Sequence, residues 1–336
     1  MVSYGACILG KYPRSDLSWD AAKKYQASPS EENGDALEGA YRDDSRLLIR
    51  LQKEAQMSPI VDGSLPWDDF LKPYTENLEG VKVGGIERWY ETNTFYFTPI
   101  ITERVKGNGP ILPKYTRIDD LKASQRPWAV TIISPYTFAH LSKNLHYSAT
   151  DELMFDIAAA QAEDLRTLAE AGCSQVYVFD PEPVVRESLG LHQSGDEIDQ
   201  WKEAIRTLLK KSGMQSGLFL AYGNASGILA DLMDFPVDYL GFDLARTPAE
   251  SLGQLKFTKG LMLGALYSDI SLQEDLLREE PSKIAGSIQS IAESIESSDM
   301  IYVTPNHELS TVTTRTEADR RLGNLGQAVR ILKGAG

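Results

Sequence analysis

Cysteine is scarce in this chain, with only Cys7 and Cys173 among 336 residues. They lie far apart and neither has a CxxC partner, which excludes a disulfide framework and a cysteine-rich metal site. Each sits beside an apolar run, so two buried free thiols are expected. Histidine is nearly as rare, at four residues. Long apolar stretches are missing too: no run of about 18 apolar residues occurs, so no membrane-spanning helix is predicted. The opening MVSYGACILGKYPRS has no basic segment and no cleavage site of the secretory kind, and a soluble cytoplasmic protein is expected. Basic residues are the minority, 34 Lys and Arg against 48 Asp and Glu, for a net charge of −14. That balance argues against nucleic acid or anionic lipid as a partner, since both require a basic face.

What is present is an ample apolar fraction, 42%, arranged as short runs. Residues 218–244, LFLAYGNASGILADLMDFPVDYLGFDL, hold two such runs, each reading as a buried parallel strand, with a crossover helix predicted over ASGILADLMDF. Tyr222, Gly223, Asn224 and Asp243 fall at the strand ends. The same rhythm recurs before and after. ACILG is followed by KYPRS, whose Lys11 and Arg14 suit a carboxylate or phosphate, the alternative being a plain surface loop. PIV leads to an Asp62-Gly63 turn, where Asp62 lines a mouth or caps a turn, and Trp67, Asp68 and Asp69 then open a helix. WAVTIISPYTF is a strand and turn, 149–173 a long helix, and QVYVFDPEP a strand that ends on Asp180 and Glu182, paired carboxylates able to share a proton. DEIDQWKEAIRTLLKKSG, GLMLGALYSD, PSKIAGSIQSIAESIESS, MIYVTPNHEL and EADRRLGNLGQAVRILKG continue as helix, strand, helix, strand and helix. No linker or change of composition divides the chain. The pattern predicts an α/β fold, one (β/α)8 TIM barrel over residues 1–336, with active groups at the C-terminal ends of its strands.

Residues 80–114 break the rhythm. GVKVGG and ERWYETNTFYFTPIITERVKGNGPILP are dense in aromatic and β-branched residues, which predicts an irregular β insertion, either irregular strands or a hairpin, laid over the barrel. There Arg88, Trp89, Asn93 and Tyr96 set a cation and an amide among aromatic faces, a combination suited to a flat heterocycle with an anionic tail. An aromatic core beneath a long loop is the other reading.

Taken in order, KYPRS, LQKEAQMSPIVDGSLPWDDFL, RWYETNTFYFTP, SPYTF, EDLRTLAEAGCSQVYVFDPEP, PVDYLGFDLAR, LGALYSD and VTPNHEL span nearly the whole chain. In this order they resemble the cobalamin-independent methionine synthase superfamily, whose barrel is shared with uroporphyrinogen decarboxylase-like proteins. The likeness is closer to the N-terminal of that family's two barrels. Family resemblance implies a methyltransferase with 5-methyltetrahydrofolate as donor, or a corrinoid protein in its place. In the family's catalytic barrel a zinc ion held by His-x-Cys, an acidic residue and a late Cys activates a thiol. Those positions align here with Phe219 and Ala221, Asp243 and His307. Zinc is therefore not expected, and Asp243 with His307, joined by Asp180, Glu182 or Glu308, remain weak candidates for a harder metal.

By the same resemblance Arg88 matches a lysine that touches the folate tail, and Lys23 and Lys24 lie near a second tail-binding segment, where Trp19 and Ala22 replace charges. The candidate catalytic residues are His307, Asp243, Asp180 and Glu182. The candidate binding residues are Lys11, Arg14, Lys23, Asp62, Trp67, Arg88, Asn93 and Asn224. His140, His146 and His192 read as structural or exposed. Three functions stay open: a methyltransferase acting on an unknown acceptor without zinc-thiolate chemistry; a zinc-free lyase or decarboxylase in which Lys11 and Arg14 anchor a carboxylate and Asp62, Asp180 or Asp243 moves a proton; and a non-catalytic folate-binding subunit that docks on a separate zinc-bearing barrel.

Overall fold

The apolar runs form parallel strands that curl into a barrel, in a computed structural model that describes residues 2–253, 256–267, 279–295, 299–312 and 314–334. Ten strands occur among these residues: β1 (Ser3–Ala6), β2 (Glu79–Arg88), β3 (Phe95–Lys106), β4 (Ala129–Ile133), β5 (Lys143–Asn144), β6 (Gln175–Phe179), β7 (Gln215–Leu220), β8 (Tyr239–Asp243), β9 (Gly260–Leu266) and β10 (Met300–Pro305). Seven of them make one parallel sheet in the order β1-β10-β9-β8-β7-β6-β4. The segment around Ile60 fills the remaining gap. Ser58 N–H donates to Ala6 O (3.2 Å) on one side, and on the other Ile60 N–H donates to Pro127 O (3.0 Å) while Ala129 N–H donates to Ile60 O (2.9 Å). PIV thus closes the barrel as an eighth stave through a single β-bridge, Ile60 to Trp128, and is too short to count as a strand.

Strands such as AVTII, QVYVF and YLGFD, apolar but for Thr131, Gln175 and Asp243, are buried at every residue, as parallel strands covered on both faces must be. Outside them pack amphipathic helices, chiefly Glu31–Glu54, Thr150–Glu170, Gly195–Leu209, Pro281–Ser294 and Arg315–Leu332. Ser30, Ser194 and Thr314 begin three of these, each side chain accepting from a backbone N–H of the first turn. Cys7 and Cys173 are buried free thiols.

One element differs from the sequence expectation, and another settles an alternative left open. The helix predicted over ASGILADLMDF shrinks to the single turn Leu229–Leu232, because Asn224 accepts from Ser226 N–H and holds the chain in an Asx turn where the helix would start. Of the two forms expected for the insertion, the hairpin is the one that occurs: β2 and β3 pair antiparallel, with short β5 on the far edge, and the register slips only between Glu79 and Val81 and between Val83 and Ile86. Its tip, residues 89–94, reaches back over the barrel mouth. No helix of the described residues is long and apolar enough to cross a membrane.

Candidate active site at the barrel mouth

Eight staves end on one face, so the residues just past them converge. Two aromatic stacks fill the centre. Phe219, Phe179, Phe70 and Trp89 follow one another with ring centroids 6.2, 4.9 and 5.6 Å apart and interplanar angles of 5°, 10° and 29°. Tyr90, Tyr222 and His307 form the second, at 5.1 and 4.6 Å. Gly241 lets the first stack sit this deep: a Cβ there would lie 2.2 Å from the Phe219 ring. Tyr222 adopts a left-handed backbone, φ 69°, seldom seen for a bulky residue. Two bonds hold it so, its N–H to Asp243 Oδ2 (3.2 Å) and its hydroxyl to Glu308 Oε2 (2.7 Å).

Around the stacks lies a ring of ionisable groups. Glu308 is fully buried, and burial pushes its carboxyl up, opposed by the Tyr222 hydroxyl and the nearby Lys11 ammonium. Lys11 donates to Asp68 O, and burial lowers its ammonium against the pull of Asp69 and Glu308. Glu182 accepts from the Tyr90 hydroxyl (3.1 Å) and is raised by burial. Asp243, at the end of β8, is pushed up to about 7 by burial although Ala245 and Tyr222 donate to it. His307 Nδ1 lies 3.2 Å from Glu308 O and 3.4 Å from Thr311 Oγ1. Lys11, Glu308, Tyr222 and His307 thus form one contiguous set able to take up and return a proton.

Other expected site residues serve the framework. Asp180 is pushed up to about 7 by burial, but Thr137 Oγ1 (2.6 Å) and Trp201 Nε1 (2.7 Å) take its two oxygens, so it braces two helices and leaves no oxygen for the mouth. Asp62 caps a turn, accepting from Ser64 and Arg117 N–H. Arg14 donates to Leu65 O, Trp67 O and Asp68 and ties down the loop it faces. Arg88 holds the hairpin tip through Thr92 O (2.6 Å) and Asn93 Oδ1 (3.3 Å). Lys23 is 73% exposed beside Asp20, on the outside of the helix Asp16–Ala27. Asn224 is exposed in its Asx turn. Trp67 is buried and, with Asn93, lines a cleft beside Lys11. His140 stacks on Tyr136, and His192 meets Glu187 at the surface.

The positions matched to zinc ligands do come together, since Phe219 and Tyr222 both contact Phe179, and Asp243 and His307 both contact Tyr222. They do not fit the metal. Phe219 and Ala221 carry no donor atom, both Asp243 oxygens accept backbone N–H groups, and among the described residues no three His, Cys, Asp or Glu side chains are grouped to hold an ion.

The raised carboxyls make stability depend on pH with a definite sign. Unfolded, Asp180 and Asp243 titrate near 4; folded, near 7. Between those values the folded state holds protons that the unfolded chain has released. The stabilisation is complete below about pH 4 and is lost as pH rises through 7, at a slope of at most about 1.4 kcal/mol per unit for each group. Depressed carboxylates such as Glu38 and Asp156 act in the opposite sense, at lower pH. Urea unfolding is therefore expected to show stability falling from pH 5 to 8, with a shallower fall in Asp180→Asn. A variant profile parallel to the wild type would contradict this.

An α/β barrel with its ionisable groups gathered at the C-terminal mouth defines the class to which the fold and site belong. The chain is a member of the cobalamin-independent synthase family: residues 79–266 match the model of that family's N-terminal domain. It is 23% identical over 336 residues to a methionine synthase of Saccharolobus solfataricus, covering 97% of this chain and 94% of that one. A methionine synthase of Sulfurisphaera tokodaii is also 23% identical, over 327 residues. Among solved structures, a B12-independent methionine synthase from Shewanella sp. W3-18-1 in complex with selenomethionine superposes with a TM-score of 0.76 at 17% identity, covering 98% of this chain and 97% of that one. A methyltransferase from Methanosarcina mazei reaches 0.58 at 12% identity, covering 98% and 93%.

Proposed function

We propose that the chain is a cobalamin-independent methyltransferase, taking a methyl group from a 5-methyltetrahydrofolate-type donor and passing it to a protic acceptor that Glu308, and no zinc-bound thiolate, activates. The observation that carries this reading is the buried Tyr222–Glu308–Lys11 cluster, standing at the mouth of a barrel whose zinc-ligand positions hold Phe219 and Ala221. The relatives that support methyl transfer are nearly this chain's own length, so one barrel is enough to bear their name.

The acceptor gives its proton to the Glu308 carboxylate as the bond to the methyl carbon forms. The N–CH3 bond of the donor breaks with its electron pair on nitrogen, which takes a proton from the Lys11 ammonium. Glu308 then returns its proton to Lys11, so atoms and charge balance over the cycle. Burial suits both groups to this exchange, because it raises the carboxyl and lowers the ammonium until their affinities for a proton approach each other. Asp243 fixes the backbone of Tyr222, and the Tyr222 hydroxyl orients the Glu308 carboxylate.

Transfer of a labelled methyl group from 5-methyltetrahydrofolate to a panel of thiols, homocysteine included, tests the reading. Label in a methylated product is expected from the chain alone. One observation favours a second reading, a subunit that docks on a separate zinc-bearing barrel: the hairpin exposes Val83, Ile86, Phe95 and Phe97. Turnover only after such a barrel is added would establish that reading in place of the first.

A further inference from the structure

Both aromatic stacks at the barrel mouth end on the tip of the β2–β3 hairpin. Trp89 is the last ring of one, 5.6 Å from Phe70, and Tyr90 is the last ring of the other, 5.1 Å from Tyr222. These two rings lie over the groups that would handle the proton. Glu308 and His307 are each only 2% exposed. Tyr222, which bonds Glu308 and stacks on His307, carries Tyr90 on its face and the Trp89 ring edge-on at 6.4 Å. An acid or base acts on a substrate only at hydrogen-bond distance, so a covering element has to move before Glu308 can work. Among the described residues the tip has the means to do so.

The tip holds its own shape. Trp89 N–H donates to Thr94 O (2.9 Å), Thr92 Oγ1 to Trp89 O (2.6 Å) and Arg88 to Thr92 O, so residues 88–94 can move as one unit. The base of the hairpin is fixed elsewhere: Arg104 pairs with Asp156 (3.0 Å) on the helix Thr150–Glu170, and Val105 N–H donates to the Tyr147 hydroxyl (2.6 Å). Between base and tip β2 carries Gly84-Gly85, where its pairing with β3 slips. A Cβ on Gly85 would meet no atom within 4 Å, so nothing packs against the chain there. Adjacent glycines at a break in the ladder give a point of easy bending.

Few contacts keep the tip down. The Tyr90 hydroxyl donates to Glu182 Oε2 (3.1 Å), and Phe97 N–H donates to Asp69 Oδ2 (3.2 Å). Glu91 pairs with Arg246 (2.9 Å), but its side chain is 80% exposed and water weakens the pair. The closed position leaves the buried Trp89 indole N–H without an acceptor among the described residues, a cost that swinging into water removes. On its flank the tip supplies Asn93, Thr94 and Phe95 to the wall of a cleft of about 750 Å³ that Lys11 also lines. Withdrawal of the tip would extend that cleft toward Glu308.

We propose that the hairpin tip is a lid, bending at Gly84-Gly85 and latched shut by Tyr90 on Glu182, and that its opening admits substrate to Glu308 and His307. The purpose of the opening rests on the methyl-transfer reading; the motion itself rests on the packing.

Glu91→Cys combined with Arg246→Cys, joined by a short bis-maleimide, locks the tip down, since these two side chains meet at the surface and the native Cys7 and Cys173 are buried. Modification by diethylpyrocarbonate, mapped to individual histidines by mass spectrometry, reads the opening. His307 is expected to react at least tenfold more slowly in the locked protein than in the same protein before cross-linking, while the exposed His146 and His192 react equally in both. Tyr90→Phe keeps the ring and loses the bond to Glu182, and is expected to speed the reaction of His307 threefold or more over the wild type. Equal rates at His307 in locked and unlocked protein, no reaction there in either, or no gain in Tyr90→Phe overturns the proposal. Methyl transfer by the same samples is expected to fall at least tenfold on locking, and transfer that persists in the locked protein also overturns the lid. No transfer from the unlocked protein, with the contrast at His307 intact, overturns methyl transfer and leaves the lid standing.

Discussion

Glu308→Gln is expected to lower kcat for methyl transfer by about 10²- to 10⁴-fold, the range for loss of a positioned acid or base. KM should stay within threefold of the wild type, since the amide keeps the shape of the carboxyl and still accepts from Tyr222. The neutral-pH limb of the rate profile should vanish with it. Tyr222→Phe provides the finer test. The hydroxyl stabilises the charged form of Glu308 by donating to Oε2 at 2.7 Å, so its removal raises the carboxyl further and moves that limb to higher pH. A merely structural tyrosine would lower the rate without moving the limb. A Glu308→Gln enzyme within threefold of the wild-type rate would remove Glu308 from the mechanism.

Phe219→Ala is expected to destabilise the fold by about 3–5 kcal/mol, the cost of truncating a fully buried phenylalanine. The ring stacks on Phe179 at 6.2 Å and fills the space that Gly241 leaves for it, so neighbouring side chains have little freedom to close the cavity. Urea unfolding measures the loss directly. A change below 1 kcal/mol would mean that this position is not a packing position, and that the argument from its apolar character fails. At the position that the family resemblance matches to a metal ligand, Phe219 is a fully buried ring stacked in the core.

Much of the barrel was legible because its strands are short and chiefly apolar, and its main helices carry their apolar residues at helical spacing. AVTII, QVYVF and YLGFD each carry a single polar residue that does not break the apolar run, whereas the caps Ser30, Ser194 and Thr314 went unread in the sequence and emerge only in the structure. The site was legible only as a neighbourhood. Asp180 and Glu182 are two residues apart, yet the first turns to Trp201 and the second to Tyr90, a division set by helices packed from elsewhere in the chain. Arg14 reads as an anion holder until the carbonyls of Leu65 and Trp67 are seen to occupy its donors. The pairing of Tyr222 with Glu308 spans 86 residues and depends on a left-handed tyrosine, which no local pattern announces. His307 was marked by its place in TPNHEL. Its neighbour Glu308, which the geometry favours more strongly, was marked only as an accessory.

The most direct test of the account is the rate of methyl transfer from 5-methyltetrahydrofolate in protein stripped by a strong chelator, measured before and after one equivalent of zinc is restored. An unchanged rate in the stripped protein, within twofold, with no gain on adding zinc, is the result expected of a barrel that works through Tyr222, Glu308 and Lys11. Activity that disappears on stripping and returns with stoichiometric zinc would contradict it.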